Sequence, residues 1–155
     1  MLSERNGVNF ELGSRLASIE SDEEGNAKTV VLENGKKLDA DLVILGTGVT
    51  PNTWFLEGGV ALDADGGINA DPFLRSTSHK DVYAAGDIVS YPYFYTAERV
   101  RNEHISEAIS TGSYAAKNML GKMVPYDQVP FFWTRAFNKS ISYVGNISAY
   151  DNVSA

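Results

Sequence analysis

The chain has 155 residues, 43% hydrophobic and 21% charged, with a net charge of −7 and no cysteine. These are the values of a folded domain with a real core, and the absence of any lysine–arginine run excludes nucleic acid or an anionic membrane surface as the main partner. No stretch approaches the roughly 20 apolar residues of a membrane span, and thiol or disulfide chemistry is ruled out within the chain.

In chain order, Val8, Phe10 and Leu12 alternate with polar residues, the period of a strand with one covered face. A second strand is expected around residues 16–20, a charged turn at SDEEGN and a third strand at KTVVL. Asn34-Gly35 in ENGKK is a hairpin signal, because both residues tolerate positive φ. The continuous apolar run at residues 42–45, inside DADLVILGTGVTPNT, suits a strand covered on both faces of an α/β sheet.

Residues 53–58 predict a short helix, and GVALDADGGINADPFLRST a hairpin-like connection. Its DADGG resembles the start of a calcium loop, but Ile68 stands where that loop needs glycine, so a turn is expected. Residues 82–85 read as a strand. The following SYPYFYTAERVR reads as irregular, its Tyr91, Tyr93 and Tyr95 either lining a channel or covering an apolar edge.

The clearest helix spans residues 102–120, where Ile105, Ala108, Ile109, Gly112, Ala116, Met119 and Leu120 share one apolar stripe and Gly121 can stop the helix. Gly112 within that stripe implies another backbone passing close by. PFFWTRAF and KSISYVGNIS read as strands again. Asn138, Asn146 and Asn152 match the glycosylation pattern and are read as chance matches.

Three units emerge: a meander at residues 1–52, an α/β segment at 53–124 and a new strand system at 125–155. The last stops two strands into a sheet, which would leave unpaired edges. The chain is therefore expected to be a fragment, completed by a missing amino-terminal portion or by a partner chain.

The candidate chemistry lies at Gly86-Asp87. Open α/β sheets bind ligands at the carboxyl ends of their strands. Glycine lets a backbone N–H approach a phosphate, and an ionised aspartate accepts hydrogen bonds from hydroxyls such as those of a ribose or ribityl chain. Thr77 stands before Ala84-Ala85-Gly86-Asp87 in a T-x6-A-x-G-D pattern, and LVILGTGVTPN precedes it as an apolar strand followed by Gly-Thr-Gly and a proline. In this order the two segments resemble the pyridine-nucleotide–disulfide oxidoreductase group of flavoproteins. RVRNEHISEAISTGSYAAKNMLG followed by VPFFWTRAFNKSISYVG is most similar to its apoptosis-inducing-factor-like and ferredoxin-reductase-type members.

The resemblance implies an α/β fold: part of a two-dinucleotide-binding-domain, glutathione-reductase-like FAD/NAD(P) architecture with the start of an α+β interface domain. Residues 1–52 would end the NAD(P)-binding domain, 53–124 would be the carboxyl part of the FAD-binding domain, and 125–155 would open the interface domain. It also implies cofactor contacts at Thr47 and Gly48 in the return segment, at Gly86 and Asp87 on the ribityl and pyrophosphate, at Glu103 and His104 beside the flavin ring, and at Trp133 near its pyrimidine side. From the residues alone, Glu103 reads equally as a solvated first-turn acid, and Trp133 rather as a core or interface aromatic. His104 with Glu107 has a metal-like spacing, but a solvated pair is the preferred reading.

One departure is plain. Neither G-x-G-x-x-G loop is present, since Gly46-Thr47-Gly48 runs into Val49-Thr50-Pro51. The expected function is thus a fragment of an FAD-dependent NAD(P)H oxidoreductase, itself inactive, with no catalytic acid–base residue and no metal. In the intact protein hydride would pass from NAD(P)H to flavin, and electrons onward to a redox partner protein such as a ferredoxin or to a small acceptor. The alternative is a cofactor-free structural or assembly protein. Without a secretory signal the expected setting is cytoplasmic or mitochondrial, and the sequence does not choose between them.

Overall fold

In the computed structural model, residues 2–56 and 58–146 are described. They divide into two units, Met1–Gly48 and Val49–Ala155.

The first unit opens with a one-turn helix α1 (Leu2–Arg5) and continues as an antiparallel meander, β1 (Leu16–Ser21), β2 (Ala27–Leu32) and β3 (Lys37–Asp39), in the order β1-β2-β3. Ile19 faces Val30, and Val30 faces Leu38. The charged turn between β1 and β2 is held by Asp22, whose Oδ1 accepts the N–H groups of Asn26 at 2.9 Å and Glu24 at 3.0 Å. The Asn26 bonds hold its carboxyl below the usual aspartate range. In the Asn34-Gly35 turn only Gly35 uses a positive φ, +83°, while Asn34 contributes its side chain, whose Oδ1 accepts the Lys36 N–H at 3.0 Å.

Two expected strands are absent from this unit. Residues 8–12 and 42–45 are irregular, with Leu42 76% and Ile44 84% exposed. A strand exists only when a neighbour pairs its N–H and C=O groups. Among the described residues no strand lies beside either segment. The apolar run records that these faces are suited to cover, without the pairing that would make them a strand here.

The second unit contains a small mixed sheet of β4 (Ile68–Asn69), β5 (Val89–Pro92) and β6 (Arg99–Val100), with β4–β5 parallel and β5–β6 antiparallel. A short 3-10 helix at Trp54–Leu56 stands where the short helix was expected. The DADGG turn is closed by Gly66 N–H on the Asp63 carbonyl at 2.9 Å and by Asp63 N–H on the Gly67 carbonyl at 2.7 Å. The strand expected at residues 82–85 is reduced to a single bridge between Arg75 and Tyr83. Gly86, at φ +75°, diverts the chain into a 3-10 turn, and pairing resumes at Val89 and runs on through residues 90–92, the start of the segment expected to be irregular. Tyr91 on that strand is almost wholly buried, in a core with Ile68, Leu74, Val89, Ala115 and Tyr126.

Helix α2 (Ile105–Met119) starts later than expected because His104 is its N-cap, with an extended backbone and a side chain accepting the Ser106 N–H. Its inward face is Glu107, Thr111, Ala115 and Asn118, one residue per turn. The apolar stripe points the other way, with Ile105 74% and Ile109 69% exposed. Gly112 also departs from expectation: among the described residues no atom from outside its own helix turn lies within 4 Å of the place a Cβ would take, so no other described backbone passes close. Asn118 anchors the end of the helix, its Nδ2 donating to the carbonyls of Phe73 (2.8 Å) and Val124 (2.9 Å) and its Oδ1 accepting the Val124 N–H (2.7 Å).

The hairpin β7 (Phe131–Ala136) and β8 (Lys139–Val144) forms where two strands were expected. Phe137 and Asn138 both take positive φ at its tip, as a primed turn requires. Asn152 and the end of the second expected strand lie outside the described residues.

Candidate functional site

Three elements of the second unit converge at the start of α2: the turn after Ala85, the connection from β6, and the β7–β8 hairpin. The connection is organised by Arg101, whose side chain is 14% exposed. Its Nε donates to Asp65 at 2.7 Å, and its Nη1 donates to the Asp87 carbonyl at 2.9 Å and to Glu103 at 2.6 Å. The Arg101 bond, with the Gly67 N–H, holds the Asp65 carboxyl below the usual range. Gly67 leaves room for this arginine, because a Cβ there would stand 2.9 Å from Arg101 Cδ. Arg101 therefore ties the backbone of Asp87 to the side chain of Glu103.

Behind it, Glu107 in the first turn of α2 is buried and takes part in no ion pair among the described residues. Its Oε1 accepts hydrogen bonds from the hydroxyls of Tyr91 and Tyr126, the latter at 2.9 Å. Tyr91 in turn accepts from Asn102 Nδ2 at 3.0 Å, and Asn102 Oδ1 accepts from Asn146 Nδ2 at 3.1 Å. This chain of donors runs from the end of the hairpin to a single carboxylate, placed where the helix dipole favours negative charge.

Burial, then the Glu107 carboxylate, pushes the Tyr91 ionisation well above the ordinary tyrosine range; burial does the same for Tyr126, with Glu107 adding to it. Folding thus favours the protonated phenols. Their contribution is complete below about pH 10, where an unfolded tyrosine begins to ionise, and is lost as pH rises beyond it. The urea midpoint is expected to fall with pH above about 10, and Tyr126→Phe to flatten that slope. An unchanged slope in the variant would count against the assignment.

A cavity of about 220 Å³ opens between α2 and the hairpin, lined by Asn102, Glu103, His104, Glu107, Phe132 and Tyr143 among others. The His104 ring lies against Phe132 (5.3 Å between centroids), and Phe132 against Tyr143 (4.9 Å). Ser106 Oγ, 2.7 Å from His104 Nδ1, donates to the Phe131 carbonyl at 2.8 Å, joining the helix cap to β7.

The sequence-derived candidates separate into groups. Glu103 and His104 share the cavity. Asp87 is exposed at the sheet edge, its carboxylate without a partner among the described residues. The Gly86 N–H is already donated to Thr111 Oγ1 at 2.9 Å, so its positive φ seats the turn against α2 near Ala108. Trp133 is not among the cavity's lining and, by strand alternation, lies on the face of β7 opposite Phe132, 62% exposed. Thr47 and Gly48 are exposed residues at the end of the first unit.

Arg101 was not anticipated, although its place two residues before Glu103 in R-x-E was visible. Glu107 contradicts the solvated reading given to it. It sits opposite the apolar stripe, where hydropathy predicts water, and only the three-dimensional convergence of Tyr91 and Tyr126 makes it an interior residue. Among the described residues no group of three or more potential ligands is arranged to hold a metal ion.

A model of the pyridine nucleotide-disulphide oxidoreductase family matches residues 1–112. The chain is 36% identical to mouse (Mus musculus) apoptosis-inducing factor 3 over 97% of its own length and 25% of that relative. It is 35% identical to monodehydroascorbate reductase of Solanum lycopersicum, over 90% of the chain and 33% of the relative. Its fold superposes on a ferredoxin reductase from Rhodopseudomonas palustris with a TM-score of 0.86 and 27% identity, covering 97% of this chain and 37% of that one. The chain thus spans a quarter to a third of the length of these curated relatives. Its motifs and its fold both place it in the pyridine nucleotide-disulphide oxidoreductase family.

Proposed function

We propose that this chain supplies part of the flavin site of an FAD-dependent NAD(P)H oxidoreductase. In this reading residues 1–52 close the NAD(P) domain, 53–124 belong to the FAD domain, and 125–155 begin the interface domain. One observation carries it: the start of α2 and the β7–β8 hairpin enclose a cavity with aromatic walls and the buried Glu107 carboxylate, and a second lining residue, Glu103, is tied through Arg101 to the backbone of Asp87, whose own carboxylate is free to accept hydroxyls. At about 220 Å³ it falls below the ~300–1,000 Å³ of sites that enclose a whole ligand, so it suits one end of a ring system.

A bound flavin supplies hydride acceptance from NAD(P)H and electron delivery to an acceptor. The chain's own residues bind and orient. Asp87 accepts hydrogen bonds from ribityl hydroxyls, and Gly86 lets that turn seat on α2. His104 and Glu103 border the ring, and the amino end of α2 adds its partial positive charge. Trp133, Thr47 and Gly48 contact the cofactors from the opposite face of the hairpin and from the return segment. In this reading the nucleotide loops come from the remainder of the protein or from a partner chain. The electron acceptor is a ferredoxin-type protein or a small molecule, in a mitochondrial or cytoplasmic setting. No described helix is long and apolar enough to cross a membrane.

The full-length protein is expected to be yellow, with absorbance near ~450 nm that bleaches on NADH addition. A colourless full-length protein would leave a structural role instead. Asp87→Ala in that protein should weaken FAD retention by about 1.5–3 kcal/mol through loss of its hydrogen bonds. Occupancy equal to wild type would overturn the role given to Asp87.

A further inference from the structure

Glu107 has one oxygen to spare. Both tyrosine hydroxyls go to Oε1, and no protein donor reaches Oε2 among the described residues. The residue is 5% exposed, yet among the described residues no buried side-chain oxygen is left without a partner. Oε2 is therefore not sealed in, and Glu107 lines the cavity beside His104 and Phe132. A carboxylate in this position draws a hydrogen-bond donor, since an ionised carboxylate only accepts.

The geometry narrows the class of donor. Guanidinium and amidinium groups bind carboxylates through two parallel bonds, which need both oxygens. Here Oε1 is already committed to two phenols. The free oxygen fits a single N–H on the edge of a flat ring, and the ring stack of His104, Phe132 and Tyr143 supplies walls for such a ring. We propose that Glu107 Oε2 accepts the imide N–H of the flavin ring and so fixes which edge of the ring enters this cavity. This rests on the flavin reading above and adds to it a recognition residue.

The test compares FAD with its N3-methyl analogue, which lacks that N–H, by titrating each into flavin-stripped full-length protein and following flavin fluorescence. Wild type should bind FAD at least tenfold more tightly than the methylated form. In Glu107→Gln the amide oxygen can keep the tyrosine bonds while the NH₂ turns to the cavity, replacing an acceptor with a donor. Its preference for FAD over the analogue should vanish.

Equal affinities for the two flavins in wild type would overturn the Glu107 proposal alone, and this comparison holds even if the variant fails to fold. Binding of neither flavin would overturn the flavin reading and this proposal with it. A preference for FAD that persists undiminished in a folded Glu107→Gln protein would assign the imide to another residue.

Discussion

Glu107→Ala is expected to lower the unfolding free energy by about 2–6 kcal/mol, because it strands two buried phenols at roughly 1–3 kcal/mol each. Native stability totals only about 5–15 kcal/mol, so this is a large share. Glu107→Gln keeps an oxygen for the tyrosines and should cost much less. Urea denaturation of the three proteins decides the point. An alanine variant within ~0.5 kcal/mol of wild type would show that water replaces the carboxylate, and that the tyrosines never depended on it. Removing both hydroxyls together with the carboxylate (Tyr91→Phe, Tyr126→Phe and Glu107→Leu) should recover part of the loss, since the expensive state is the one with donors left unpaired.

Asn118→Ala should cost about 2–4 kcal/mol. The side chain is 2% exposed and makes three hydrogen bonds, two as donor and one as acceptor. Its loss leaves the carbonyls of Phe73 and Val124 and the Val124 N–H without their partner in the interior. The visible result would be a lower melting temperature and faster proteolytic cleavage around residues 121–126, where the chain leaves α2. Asn118→Asp is the informative companion: it preserves the acceptor for Val124 N–H but aims a carboxylate at two carbonyls. It should therefore be at least as damaging as alanine. If aspartate is tolerated better than alanine, the Val124 N–H bond outweighs the other two.

Local signals translated well into structure. Gly35 at positive φ, the DADGG turn, the strands β7 and β8 and the body of α2 are each fixed by residues close together in the chain. What the sequence did not disclose is which side of each element meets which neighbour. The apolar stripe of α2 is plain in the spacing, but hydropathy does not say that the face the helix turns inward is instead Glu107, Thr111, Ala115 and Asn118. Polar residues can be buried when donors and acceptors converge from distant segments, as Tyr91 and Tyr126 do, and that convergence leaves no periodic mark. Residues 42–45 show the converse, an apolar run with no strand beside it among the described residues.

The candidate site was legible to a similar depth. Glu103 and His104 were placed together because they adjoin a helix start, which spacing reveals. Arg101 carries no local signal of its role, which comes from Asp65, thirty-six residues earlier. Trp133 does not line the cavity, although both Phe132 and Phe131, the latter on the same face of β7 as Trp133 by strand alternation, do.

Both tryptophans sit where solvent reaches them, Trp54 at 72% and Trp133 at 62% exposure. The emission of this chain alone is therefore that of hydrated indole, open to quenching by acrylamide. That makes the two indoles a gauge of coverage. On addition of the amino-terminal portion or partner chain proposed above, a blue shift and reduced quenching at Trp133, read in a Trp54→Phe background, would report the moment its side of the hairpin leaves water.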